Sequence, residues 1–240
     1  MKNIKNSFKA IKKLTSVFSK NEIILWCSSA AVTLISFFIF DRQSYLTLAA
    51  CLIGVTSLIF NAKGNPIGQA LMVIFSLLYG IISFTFSYYG EMLTYLGMTM
   101  PMAVFSLIAW LKNPYNGSRS EVKIDSLKKK DGVFMLIAAA FVTLIFYYIL
   151  KYFNTANILP STVSVTTSFI AVYLTYKRSP FFALAYAAND IVLIILWVMA
   201  SLTETRYISV VVCFTAFLVN DAYGFISLNK IKKRQSPDTA

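Results

Sequence analysis

The sequence predicts an all-α integral membrane protein with eight transmembrane helices. Three observations carry that reading. Of the 240 residues, 58% are hydrophobic and only 13% are charged, and mean hydropathy is +0.67. A soluble chain of this size cannot cover its surface with so few polar groups. The apolar residues fall in runs of about 20, the length that crosses a bilayer as a helix. No run alternates with period two over a long stretch, so a β-barrel is not supported.

The elements follow in chain order. Residues 1–21 form a basic segment in which Ile4, Phe8, Ile11 and Phe18 recur near helical spacing among lysines. An amphipathic helix lying in the membrane interface suits that pattern, with a disordered basic tail as the alternative. It does not read as a cleaved signal, because the basic part is long and no small-residue cleavage site ends the apolar run. Spans are expected at 22–40, 45–62, 67–89, 92–111, 132–151, 159–176, 181–203 and 207–228. Short connections, such as Asp41-Arg42-Gln43-Ser44 and Lys177-Arg178-Ser179-Pro180, imply antiparallel neighbours. The stretch from Lys112 to Asp131 contains Asn116-Gly117-Ser118 and Lys128-Lys129-Lys130, and reads as an exposed linker. Residues 231–240 read as a disordered tail. Pro101 lies inside the fourth span and should kink it, as a hinge or as a static bend.

Charge sets the orientation. Of the 22 Lys and Arg residues, all but Arg42, Lys151 and Arg206 fall on the side of the two termini. The positive-inside rule therefore predicts cytoplasmic termini and an even number of spans. The net charge of +12 is explained by this topology and gives no reason to expect nucleic acid as a partner.

Several chemistries are excluded. Without any histidine, the commonest general base and metal ligand are missing. Cys27, Cys51 and Cys213 lie far apart in apolar runs, with neither metal spacing nor a disulfide framework. There is no G-x-x-x-x-G-K-[ST] loop to bind ATP. No metal or cofactor is expected, and an intramembrane enzyme or assembly factor is a remote alternative.

An internal repeat is visible. Lys63-Gly64-Asn65-Pro66 and Lys177-Arg178-Ser179-Pro180 each end a span, turn, and start a long span. Residues 45–113 and 159–230 thus form two three-helix units of the same direction. An odd number of crossings in each unit demands one more span between them, which residues 114–158 supply after a cytoplasmic loop. Parallel repeats place substrate at their interface near the midplane.

Polar residues inside the spans mark that interface. Asp190 sits near the middle of the seventh span, where a charged Asp costs about 2.5–3.5 kcal/mol. Tyr186, Asn189, Asp190, Leu193 and Trp197 share one helical face. Cys213, Ala216, Asn220, Tyr223, Gly224 and Ser227 share another, and Gln69, Met72, Ser76, Tyr79 and Ser83 a third. Ser161, Thr162, Ser164, Thr166, Thr167 and Ser168 line the sixth span, for a polar cavity or for close helix packing. Asp221 is a structural partner or a substrate contact. Trp26, Trp110, Tyr88 and Tyr89 lie near span ends and suit an interfacial belt. The expected substrate-binding set is Trp197, Asn189, Asp190, Asn220, Tyr223, Gln69, Tyr79 and Tyr186.

The order of short motifs on this span pattern is that of a known family. Residues 67–113 carry I-G-Q-A-L, L-Y-G-I-I-S-F, Y-Y-G-E and W-L-K-N; residues 181–228 carry A-A-N-D-I-V and L-V-N-D-A-Y-G-F-I. Over residues 45–230 the chain resembles the PnuC-type vitamin transporters. Asn220-Asp221-Ala222-Tyr223-Gly224 matches the family's last-helix pattern, and Asn189-Asp190 falls where the family has a polar pair. The resemblance implies a SWEET-like bundle of 3+1+3 helices, here preceded by one extra span at 22–40. It also implies a homotrimer in the bacterial inner membrane. The transport it implies is facilitated diffusion of nicotinamide riboside, trapped by phosphorylation and feeding NAD synthesis. Phe181-Phe182 replaces the family's tryptophan-rich start of the seventh helix, which keeps thiamine, riboflavin and deoxyribonucleosides as alternatives. Proton-coupled uptake through Asp190 is another. The residue types suit a pyridinium nucleoside independently, since aromatic faces attract a flat cation and amides can pair with a carboxamide and ribose hydroxyls.

Overall fold

The computed structural model describes residues 18–85, 88–155 and 157–236. The interfacial helix expected through Ile4, Phe8 and Ile11 lies outside these residues, as do residues 237–240. Among the described residues, eight helical segments are long and apolar enough to cross a membrane. They are α1 (Lys20–Phe40), α2 (Tyr45–Ala62), α3 (Ile67–Thr85), a fourth span of α4 (Tyr89–Thr94), a π-helical turn (Tyr95–Thr99) and α5 (Met100–Lys112), then α6 (Lys129–Tyr152), α7 (Ile158–Tyr176), α8 (Phe181–Ser201) and α9 (Ile208–Gln235).

Boundaries differ from expectation in places that have physical causes. Helix α3 is described to Thr85, and the fourth span begins at Tyr89, after Tyr88 N–H turns back to bond Ser83 O at 2.8 Å. Helix α9 continues through Gln235, so residues 231–235 are helical and not part of a disordered tail. Lys232, Lys233 and Arg234 complement the negative end of its dipole. Gln235 is also fixed by bonds to Glu121, Val122 and Ile124. Pro101 cannot donate a backbone hydrogen bond, and its ring crowds the carbonyl four residues earlier. The chain answers with the π-helical turn just before it, in which Met100 N–H bonds to Tyr95 O.

The 112–131 connection is no simple linker. Strands β1 (Pro114–Tyr115) and β2 (Ser118–Val122) form a small antiparallel hairpin. Val122 and Ile124 are buried, and Val122 N–H bonds to Gly64 O at 2.8 Å. The hairpin covers the end of the bundle that carries the start of α1 and the end of α9, called here the terminal face; the opposite end is the distal face. Under it lies a core of Trp110, Tyr173, Leu174, Phe182 and Leu228. Trp110 is fully buried, with its indole N–H donating to Thr175 O at 3.0 Å. It is therefore a core residue and not part of an interfacial belt.

The two turns compared in the sequence have one geometry. Gly64 and Arg178 are both left-handed, with φ of 64° and 58°. Asn65 N–H bonds to Phe60 O, and Ser179 N–H bonds to Leu174 O, each at 3.0 Å. These are the long bonds of a Schellman ending, used twice to close one helix and launch the next. Packing also crosses over: α9 lies against α2 and α5 against α7, so the third helix of each unit meets the first of the other. Helices α2, α3, α5, α7, α8 and α9 thereby close a ring. Helix α1 lies outside it, against α9 and α2. Two close approaches fix the ring. A Cβ on Gly54 would come within 2.2 Å of the Phe217 ring, and one on Gly68 within 2.2 Å of Asn61 Oδ1. Only glycine lets α2 sit that near to α9 and α3.

Candidate functional site

At the centre of the ring is an enclosed cavity of about 20 Å³, room for a single water. Both units build it. Leu58, Met72, Phe75, Tyr95 and Thr99 come from the first; Ser168, Tyr186, Asn189, Asp190, Phe214, Phe217 and Asp221 come from the second. A nucleoside would need these walls to part.

One wall is polar. Asn189 Oδ1 accepts from Thr167 Oγ1 at 2.8 Å and Ser168 Oγ at 3.0 Å. That occupies the amide oxygen and leaves the amide donors for the cavity. The Ser/Thr run of the sixth span thus serves partly to aim Asn189. Beside it, the carboxyl groups of Asp190 and Asp221 lie within hydrogen-bonding reach of each other. A hydrogen bond between two carboxyl groups needs one proton on the pair. Asp190 Oδ2 has no donor among the described residues.

The other wall is aromatic. Tyr79 and Tyr95 have ring centroids 4.4 Å apart, and Phe75 stacks on Tyr79 at 5.6 Å. Trp197 donates its indole N–H to Tyr79 Oη at 2.7 Å, so it sets the Tyr79 ring from behind. Tyr88 and Tyr207 continue the aromatic column toward the distal face, 5.0 and 5.5 Å from Trp197. Tyr88 therefore packs inward on this column and does not sit in a lipid-facing belt.

The eight expected site residues divide. Asn189, Asp190 and Tyr186 line the cavity, with Tyr79 and Trp197 in the aromatic group behind it. Gln69 instead donates to Asn61 Oδ1 at 2.8 Å, in a network with Ser57 that seals α2 to α3. Asn220 donates to Ser29 Oγ at 2.8 Å, and Tyr223 donates its hydroxyl to Glu22 at 3.3 Å. Both partners are on α1, so the Asn220–Tyr223 face points away from the cavity. The cavity face of α9 is Phe214, Phe217 and Asp221, at spacings of three and four. An extra helix outside the ring gives α9 a second polar contact, and sequence spacing alone does not say which polar face looks inward.

The expected spans, ending at 89 and restarting at 92, leave Glu91 in the turn between them. Glu91 is only 1% exposed, and neither carboxylate oxygen has a hydrogen-bond donor among the described residues. It lies one turn from Tyr95 on the same side of the fourth span. With Asp190 and Asp221 it is one of three buried carboxyl groups on or near the cavity, whereas no described Lys or Arg is buried.

Eight crossing helices, a ring of two triplets and a closed polar–aromatic chamber at their junction define a membrane carrier protein. The comparisons narrow the class. Residues 44–230 match the family model described as "Nicotinamide mononucleotide transporter", and the chain belongs to this family of PnuC-type transporters. The nicotinamide riboside transporter PnuC of Neisseria mucosa is 26% identical over 223 residues, covering 88% of this chain and 84% of that protein. The protein of the same name from Haemophilus influenzae is 21% identical over 216 residues, covering 88% and 91%. The crystal structure of the vitamin B3 transporter PnuC shares the fold, with a TM-score of 0.80 at 23% identity over 91% of this chain and 94% of that one.

Proposed function

We propose that this chain carries nicotinamide riboside across the bacterial inner membrane by facilitated diffusion, with trapping by phosphorylation in the cytoplasm and use in NAD synthesis. The observation that carries the substrate reading is the charge of the interior. Asp190 and Asp221 line a chamber walled by Tyr95 and Phe75, Glu91 lies buried one turn from Tyr95, and no basic side chain is buried with them among the described residues. That suits a flat cationic ring, with Asn189 for its carboxamide or the ribose. A mononucleotide would bring a phosphate into the same space, where it would meet carboxylates in place of the Arg or Lys that phosphate binding uses. The riboside is favoured over the mononucleotide on that ground.

The repeated Schellman turns and the crossed packing of α2–α9 and α5–α7 support the SWEET-like 3+1+3 arrangement, with α1 as the extra helix. In this reading the terminal face is cytoplasmic, the protein is a homotrimer, and Asp190, Asn189, Tyr186, Tyr79 and Trp197 form the core of the site. Titration of purified protein with the riboside, the mononucleotide and thiamine tests the substrate. The riboside should saturate, and the mononucleotide should bind at least 100-fold more weakly, about 2.7 kcal/mol. Equal binding of the mononucleotide would overturn the reading.

A second mode of transport has one observation in its favour. The Asp190–Asp221 contact can hold and release a proton. Uptake into liposomes that follows the riboside gradient alone supports uniport; concentration of free riboside by an imposed proton gradient supports coupling through this pair.

A further inference from the structure

We propose that Glu91, buried one helical turn from the cavity-lining Tyr95, is a specificity-determining residue that selects substrates for positive charge just beyond the distal end of the chamber. This rests on the riboside reading above. Glutamate at the third position of a helix usually has a local task, bonding back to the N-cap backbone and complementing the helix dipole. Glu22 does this at the start of α1, where Ser19 N–H donates to Glu22 Oε2 at 2.7 Å. Glu91 holds the same third position in α4, and no side-chain cap bond forms there. Tyr88, the N-cap residue, cannot reciprocate as Ser19 does.

Nor does an ion pair account for it. The distal Arg206 is bonded to Glu204 at 2.8 Å and lies over the Tyr207 ring. The Ser164 hydroxyl on α7 comes near Glu91 without forming a hydrogen bond of good geometry, and Tyr79 and Tyr95 are near enough to feel its charge. Asp190 and Asp221 can satisfy each other through a shared proton; Glu91 has no second carboxyl group to do so. A buried carboxylate left without a well-formed hydrogen bond is costly to the fold. A cationic ring held between Tyr95 and Glu91 would supply the missing counter-charge, and a neutral ring of the same shape would not. Glu91 thus distinguishes ligands by charge where the aromatic walls distinguish them by shape.

The test compares nicotinamide riboside with its 1,4-dihydro form, which has nearly the same size and an uncharged ring. Wild-type protein should bind the cation more tightly. Glu91→Gln keeps the shape and removes the charge. It should weaken the cation about tenfold, about 1.4 kcal/mol, and leave the dihydro form within twofold. Glu91→Asp should recover part of the preference. Equal losses for both ligands would make Glu91 a packing residue, and wild-type affinity for both would place it outside recognition; either result overturns the proposal. If wild-type protein binds thiamine and not the riboside, the substrate reading falls. Thiamine against its neutral 3-deaza analogue then applies the same charge criterion to Glu91. Gel filtration and thermal unfolding of each variant establish that the folded protein is being compared.

Discussion

Glu22 and Glu91 are nearly alike in sequence terms and opposite in structure. Both are buried and both hold the third position of a helix that opens a span. Glu22 is surrounded by donors: the Ser19 backbone N–H, Lys63 Nζ at 3.0 and 3.2 Å, and the Tyr223 hydroxyl. Glu91 has none among the described residues. The contrast extends to their surroundings. Around Glu22, the contacts Asn220–Ser29, Trp26–Thr56 and Tyr223–Glu22 bind α1 to the ring. In the chamber, Thr99 and Asp190 each keep a buried polar atom without a partner, as does Glu91 one turn beyond it. The side chains that bind α1 to the ring find partners within the fold, although Asn220 Oδ1 and Ser36 Oγ do not. Those that face a ligand are left short, because the ligand completes them.

Variants can break or sharpen this contrast, and the largest effect is expected far from the chamber. Trp110→Ala removes a fully buried indole and its bond to Thr175 O. It should cost about 3–5 kcal/mol of stability, read as a marked fall in the thermal unfolding midpoint in detergent. Riboside affinity of the protein that remains folded should hold within about twofold.

Lys63→Met attacks the satisfied side of the comparison. It leaves Glu22 buried without its cation. Because Lys63 is partly exposed, the cost should be about 2 kcal/mol, below that of a fully buried pair. Stability should fall and affinity should not. A loss of affinity with unchanged stability would show that the α1 contact belongs to the binding site after all.

Asn189→Leu attacks the other side. It keeps the approximate volume and deletes the amide aimed by Thr167 and Ser168. Affinity should fall about tenfold, about 1.4 kcal/mol, as measured by calorimetric titration. Tyr223→Phe should have the smallest effect. It deletes one half-buried hydroxyl bond to Glu22 at 3.3 Å, worth about 0.5–1.5 kcal/mol of stability, with affinity unchanged.

The same contrast explains what could be read before the structure was known. Span number, the like geometry of the two turns at Gly64 and Arg178, and the inward position of Asp190 follow from hydropathy, turn chemistry and the expense of a charge at midspan. Each is a large effect written locally in the chain. The face of α9 was not legible. Asn220 and Asp221 are adjacent and both polar, and only the placement of α1 decides that Asn220 turns outward to Ser29 while Asp221 turns inward. Glu91 was missed for a related reason. Near a span end a glutamate is ordinarily solvated, and its burial depends on Leu150, Thr155 and Ser161 closing over the neighbouring Gly90. Trp110 was misread because a tryptophan at a span end looks interfacial until the hairpin folds over it. In each case the deciding partner is distant in sequence.

The central claim is that substrate binds in the Asp190 chamber and not at the interface with α1. Riboside titration of Asp190→Asn and Tyr223→Phe, purified side by side, tests it most directly. Asp190→Asn preserves shape and removes the acid, and should lose tenfold or more in affinity while staying folded. Tyr223→Phe should bind like wild type. The reverse pattern, with Asp190→Asn unaffected and Tyr223→Phe impaired, would contradict the account.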